Sequence, residues 1–254
     1  MIESYVEKKA NPKWQKEIDL TRKAIEKAQQ MQTKPKFFVV CGDLVDAFPN
    51  TPLNQPQVDD FKKVFAELKS DIPLICVCGN HDVGNTPTPE TVDLYRQRFG
   101  DDYFVFWYDG VMFIVLNSQY YEDRSQTKEI AEKQDQWLDD VLKQAHKYRH
   151  VIVFQHIPWF LQKADEENDY FNIEKDLRIK MLDKFEKAGV KAIFCGHYHQ
   201  NAGGKYKDME VVVTSAIGAQ LGNEKSGFRI VKVLANKIEH TYYELDSVPK
   251  CVNF

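Results

Sequence analysis

No window of the sequence approaches the apolar length that a bilayer requires, which argues against a membrane-spanning helix. The opening residues, MIESYVEKKANPK, have no apolar centre of the kind a secretory leader carries, so a cytoplasmic protein is expected. Positive charge is not in excess either: 34 Lys and Arg against 38 Asp and Glu leave a net charge of −4. Neither nucleic acid nor a membrane surface is therefore expected as a partner. Cysteine is sparse and odd in number: Cys41, Cys76, Cys78, Cys195 and Cys251. The first four sit in apolar, strand-like runs, which fits reduced buried thiols better than a disulfide framework, and Cys76 with Cys78 is only a weak zinc signal. Repeats, low-complexity tracts and linker-like segments are missing too, so residues 1–254 are expected to form a single domain.

What is present is a junction that recurs four times. PLICVCGNHD at residues 73–82 runs from an apolar segment, suited to a strand buried on both faces, into Asn80, His81 and Asp82. KFFVVCGD at 36–43, VIVFQHIP at 151–158 and AIFCGHYH at 192–199 repeat the pattern and end on Asp43, His156, and His197 with His199. In open α/β sheets, ligands gather at the carboxyl ends of strands, where the strand holds side chains still and the loop leaves them reachable. Asp, Asn and His together supply the oxygen and nitrogen donors that suit zinc, manganese or iron better than an all-thiolate set would. His146, His150 and His240 lack that placement and read as structural residues.

Between these junctions the apolar spacing predicts helices over 12–32, 57–69, 90–99, 131–146 and 177–188, the first capped by Asn11 and Pro12. Asp109-Gly110 separates two apolar runs and predicts a hairpin. Residues 201–204 read as a turn, and 209–214, 228–234 and 238–243 as the last strands. The fold class is thus α/β with an α+β mixture, strand–helix alternation interrupted by antiparallel pairs. The acidic run 165–169 is either a solvated loop or a substrate-facing rim.

Gly42-Asp43, Gly79-Asn80-His81-Asp82, His156 and Gly196-His197-Tyr198-His199, in this order, resemble the calcineurin-like metallophosphoesterases, and within them a group described as serine/threonine protein phosphatases. The resemblance implies two packed mixed β-sheets flanked by helices in a four-layer sandwich. It implies two divalent metal ions, of Mn, Fe, Zn or Mg, bridged by Asp43. Asn80, His156 and His197 complete the shell of the second ion, and His199 binds the first. His81 is the implied general acid or phosphate-orienting group, with Asp82 holding its ring. The implied reaction is hydrolysis of phosphate monoesters, with phosphoserine and phosphothreonine in proteins as favoured substrates, by direct attack of a metal-bound hydroxide. The alternatives are a phosphodiesterase acting on a nucleotide or small phosphodiester, and a catalytically impaired protein that binds phosphorylated partners. The last arises because the family's first motif, on a strand ahead of the first helix, has no counterpart in this sequence. An N-terminally truncated domain with a weakened first metal site is the expectation that follows.

Overall fold

In chain order the computed structural model, which describes residues 13–253, runs α1 (Gln15–Gln29), β1 (Phe38–Val40), α2 (Asn54–Phe65), β2 (Leu74–Cys76), α3 (Asn80–Val83), α4 (Pro89–Phe99), β3 (Phe104–Tyr108), β4 (Val111–Val115), α5 (Gln119–Glu122), α6 (Lys128–Leu142), β5 (His150–Phe154), α7 (Lys175–Lys187), β6 (Val190–Cys195), β7 (Ala202–Tyr206), β8 (Met209–Val213), β9 (Gly227–Val233) and β10 (Ile238–Glu244). Among these residues no strand precedes α1, and the cap expected at Asn11 and Pro12 lies outside them.

One sheet has six strands in the order β3-β4-β5-β6-β8-β7, with parallel pairing from β4 to β8 and antiparallel strands at both edges. Its central strands are apolar on both faces because both faces are covered. On one side Met112, Ile114, Val151, Val153 and Ile193 pack with Leu138 of α6 and Leu182 and Phe185 of α7. On the other, Phe113, Ile152, Phe154 and Phe194 meet Val39 and Ile75 from the parallel pair β1-β2, and Val231, Val233 and Ile238 from the antiparallel pair β9-β10. The outer face of β1 and β2 is closed by Ile25 of α1 and by Val64 and Phe65 of α2. The order of layers is helix, sheet, sheet, helix, as expected, with two separate ladders in the second layer. β1 and β9 each pair with one strand only among the described residues. A cavity of about 650 Å3 between them reaches from Phe38 and Phe228 to Asp43 and His199.

Residues 201–204 are not a turn. Gly203 and Gly204 lie inside edge strand β7, where a Cβ would sit 2.1 Å from the Val211 carbonyl oxygen and 2.6 Å from that of Gln162, so the glycines mark close backbone approach. Asn80, His81 and Asp82, expected on a loop, form the single helical turn α3.

A buried carboxylate ties the sheet edge to the loops after β4. Asp102 is 2% exposed and accepts from Arg96 Nε at 2.7 Å, Tyr120 Oη at 2.7 Å and Asn117 Nδ2 at 3.0 Å. Asp102→Ala strands three donors and is expected to lower unfolding free energy by about 3–5 kcal/mol, as removal of one partner of a buried ion pair does. Urea denaturation at pH 7 measures it, and a loss below about 1 kcal/mol would contradict the role given to this network.

Candidate metal centre

Four strand ends deliver the site. Asp43 follows β1, Asn80 follows β2, His156 follows β5, and His197 and His199 follow β6. The loops approach closely enough that side chains are excluded between them. A Cβ on Gly42, where φ is +85°, would lie 2.3 Å from His156 Nδ1, and one on Gly79 would lie 2.2 Å from the Asp43 backbone nitrogen. Asp43, His197 and His199 all have positive φ, at 52°, 66° and 55°. Left-handed backbone at non-glycine residues is uncommon, and here it aims three donor side chains inward.

Hydrogen bonds fix which ring atoms face the centre. His156 donates Nδ1–H to the Cys41 carbonyl at 2.7 Å, which leaves Nε2 as a lone pair. His197 donates Nε2–H to the Tyr170 carbonyl at 3.1 Å, which leaves Nδ1. Asn80 gives Nδ2 to Asn85 Oδ1 at 2.9 Å, turning Oδ1 inward. The inward atoms then crowd together: His156 Nε2 is 3.0 Å from Asn80 Oδ1, 3.2 Å from His197 Nδ1 and 3.2 Å from Asp43 Oδ2. Four acceptors converge with no donor that could serve them all. A proton on His156 satisfies one contact and leaves the rest opposed, whereas a divalent cation satisfies all four. Two nitrogens and two oxygens, one of them anionic, fit a first-row divalent metal ion. Among the described residues, Asp43, His156 and His197 form the cluster of ionisable donors whose ligating atoms all lie within 4.8 Å of one another.

Charge follows the same pattern. Burial opposes the ionised form of Asp43, but the His156 and His81 side chains outweigh it and hold the carboxyl well below the usual range. Burial alone would lower His156; the Asp43 carboxylate reverses that and raises it. His197 and His199 are pushed down to about 3 and about 4, chiefly by burial, which keeps them neutral and able to act as ligands. The Cys41 thiol, beside this centre, is pushed up by burial to about 12 and is no nucleophile at neutral pH.

His199, expected to serve the other ion, stands outside the tight cluster, its Nδ1 bonded to the Ala219 carbonyl at 2.6 Å and its other nitrogen left available. One expected role changes in the structure. Asp82 does not hold the His81 ring. Its carboxylate accepts from Leu44 N at 3.0 Å and Gly79 N at 2.8 Å, clamping the loop after β1 to the loop after β2. Neighbours in sequence on a helical turn point in different directions, and α3 separates these two side chains. His81 Nδ1 meets the Asp46 carbonyl instead, and its backbone N–H donates to Asp43 Oδ1 at 2.9 Å. The carbonyls of Cys41, Asp46, Tyr170 and Ala219 escape a reading of side-chain types, because every residue carries one.

Tyr170 arrives from a braced loop. Arg178, fully buried, donates to the carbonyls of Ala164, Glu166 and Ile173. Glu166 accepts from the backbone N–H groups of Leu161, Gln162 and Lys163 and from Asn172 Nδ2 at 2.7–3.1 Å. Part of the acidic run is thereby internal scaffolding, while the Tyr170 side chain beyond it is 58% exposed and its ring lies 5.1 Å from that of His197.

The model of the calcineurin-like phosphoesterase family matches residues 14–201. The chain is 51% identical over 237 residues to "Serine/threonine-protein phosphatase CPPED1" of Bos taurus, covering 92% of this chain and 76% of that one. Among solved structures it is similar to a dimetal phosphatase from Danio rerio, with a TM-score of 0.66 at 16% identity over 91% of this chain and 88% of that one. It is also similar to GAP50, described as the anchor in the inner membrane complex of Plasmodium, with a TM-score of 0.68 at 18% identity over 92% and 82%. The last two likenesses concern the fold.

The bonds to Glu166 lower its pKa against the effect of burial. A carboxylate with a depressed folded pKa stabilises above its unfolded value, near 4.3, and loses that contribution as pH falls through the folded value. Glu166→Gln is expected to lower stability by about 1–2 kcal/mol at pH 7. That difference should shrink below about pH 4. Chemical denaturation from about pH 3.5 to about pH 7 checks both, and a pH-independent difference would refute the assignment.

Proposed function

The chain belongs to the calcineurin-like phosphoesterase family, a family of metal-dependent hydrolases, and from that premise we propose that it removes phosphate from phosphoserine and phosphothreonine in proteins. The observation that carries the site assignment is the convergence of Asp43 Oδ2, Asn80 Oδ1, His156 Nε2 and His197 Nδ1, where a proton on His156 can serve only one of the contacts. In this reading these four residues would hold one divalent ion, and Asp43 with His199 would serve a second. The ions supply Lewis acidity toward phosphoryl oxygens and make water a nucleophile near neutral pH.

The protein's own groups do the rest. Asp43 would offer Oδ2 to the metal site while its Oδ1 accepts from the His81 backbone N–H, so metal ligand and general acid keep one spacing. His81, as an imidazolium with its Nδ1–H on the Asp46 carbonyl, would pass its second proton, carried on Nε2, to the serine or threonine oxygen as that oxygen leaves phosphorus. Asp82 is a positioning residue that holds the two loops together. No side chain needs to be phosphorylated, since the buried thiols are protonated and the inward imidazoles are engaged as ligands. The reading of the chain as a single domain is supported by one cluster of apolar side chains that joins the six-stranded sheet to both two-stranded ladders. No helix among the described residues is long and apolar enough to cross a membrane, and free thiols at all five cysteines, with only Cys78 and Cys195 buried, support a cytoplasmic setting.

Chelation followed by readdition of Mn2+ or Zn2+ is expected to abolish and restore turnover of a phosphoserine peptide. Metal analysis of His156→Ala and Asn80→Ala should show lost ions. His81→Asn should retain the ions while kcat falls on the order of 10²–10³-fold. Faster turnover of a phosphodiester than of the phosphopeptide would favour the diesterase alternative. Phosphopeptide binding without turnover at full metal occupancy would favour the binding-protein alternative.

A further inference from the structure

We propose that Phe48 and Gln57 are positioning residues for proton transfer by His81, fixing the plane and the tautomer of its ring; this rests on the role of His81 as general acid. The loop after β1 turns back over α3 so that the Phe48 ring stacks on the His81 ring, with centroids 4.5 Å apart and planes at 24°. In the same loop the Asp46 carbonyl takes the His81 Nδ1–H. One contact stops rotation of the imidazole and the other decides which nitrogen is left to face a leaving group.

Helix α2 holds this loop in place with buried amides. Gln57 Oε1 accepts from the N–H groups of both Asp46 and Ala47, at 3.0 and 2.8 Å. Asn54 Nδ2 donates to the Ala47 carbonyl at 2.5 Å, and its Oδ1 accepts from Arg98 at 2.5 Å. Both amides are buried, and Gln57 keeps this orientation although its Nε2 then has no hydrogen-bond partner. An apolar residue would pack against α2 without that penalty, so the amide serves the loop rather than the helix. Gln57 fixes the Asp46 peptide, Asp46 and Phe48 fix His81, and the chain of contacts runs from α2 to the leaving group.

Proton donation matters for a poor leaving group such as a serine alkoxide, and little for a dinitrophenolate. The expected result for Phe48→Leu and Gln57→Met is therefore a fall of about tenfold in the ratio of kcat on a phosphoserine peptide to kcat on 2,4-dinitrophenyl phosphate. KM and metal content should stay near those of the parent, while Gln57→Met, which leaves two N–H groups without their acceptor, should lower the melting temperature. Gln57→Glu, which keeps an acceptor for the two N–H groups, should hold the ratio within about twofold. Long-range proton–nitrogen spectra of the chelated protein with the ring neutral should show the His81 proton held on Nδ1, leaving Nε2 as the site that takes up the proton to be donated, and a mixture of tautomers in Phe48→Leu and Gln57→Met. Equal losses on both esters, or no loss with an unchanged tautomer, would overturn the proposal. Should His81→Asn lower both esters equally, the general-acid role itself fails, and the variants at 48 and 57 are not needed to see it.

Discussion

The site depends on backbone carbonyls that take one proton-bearing nitrogen from each histidine. Cys41, Tyr170, Ala219 and Asp46 hold His156, His197, His199 and His81 in turn. Each bond removes the choice of tautomer and the freedom of the ring, so the remaining nitrogen has one position to offer. Without these bonds, the crowding of lone pairs at the centre would relax by ring rotation or proton sharing. With them the repulsion stays in the folded protein until a cation offsets it.

Such an arrangement needs a frame that does not yield. The six-stranded sheet and the ladders β1-β2 and β9-β10 share apolar side chains along strands that are parallel at the centre, so their carboxyl ends are fixed relative to one another. Glycines at 42 and 79 let the loops touch, and Asp82 then joins them through two backbone N–H groups. The left-handed backbone at Asp43, His197 and His199 is held by the same packing. Each such residue costs about 1–3 kcal/mol, which the surrounding core must offset.

How much of this can be read from sequence follows from where the information lies. Asp43, Asn80, His156 and His197 are legible because each stands just past an apolar strand, and strand ends on one side of a sheet meet. The layered fold is legible for a related reason, since runs such as 111–115 and 151–154 are too uniformly apolar for a one-sided surface. The partner of His81 is not legible. Asp82 is adjacent in sequence, yet one turn of helix points it elsewhere, and the group that meets the ring is a main-chain oxygen. The glycines at 203 and 204 mislead in the same way, because glycine marks close approach as well as turns.

Asp43 explains why the parts cannot vary independently. Its Oδ2 belongs to the donor cluster and its Oδ1 to the backbone of His81, so a shift that improved one end would disturb the other. The burial that would favour a neutral carboxyl there is overcome by the His156 and His81 side chains, which keeps it ionised and able to face positive charge. A bound cation would strengthen that ionised form and be strengthened by it, because binding to the folded state alone adds stability by mass action, about 2.7 kcal/mol at a hundred times the dissociation constant. The repulsion among donors in the free protein and the order of the loaded site are two consequences of one geometry, set by strand ends and fixed by main-chain oxygens.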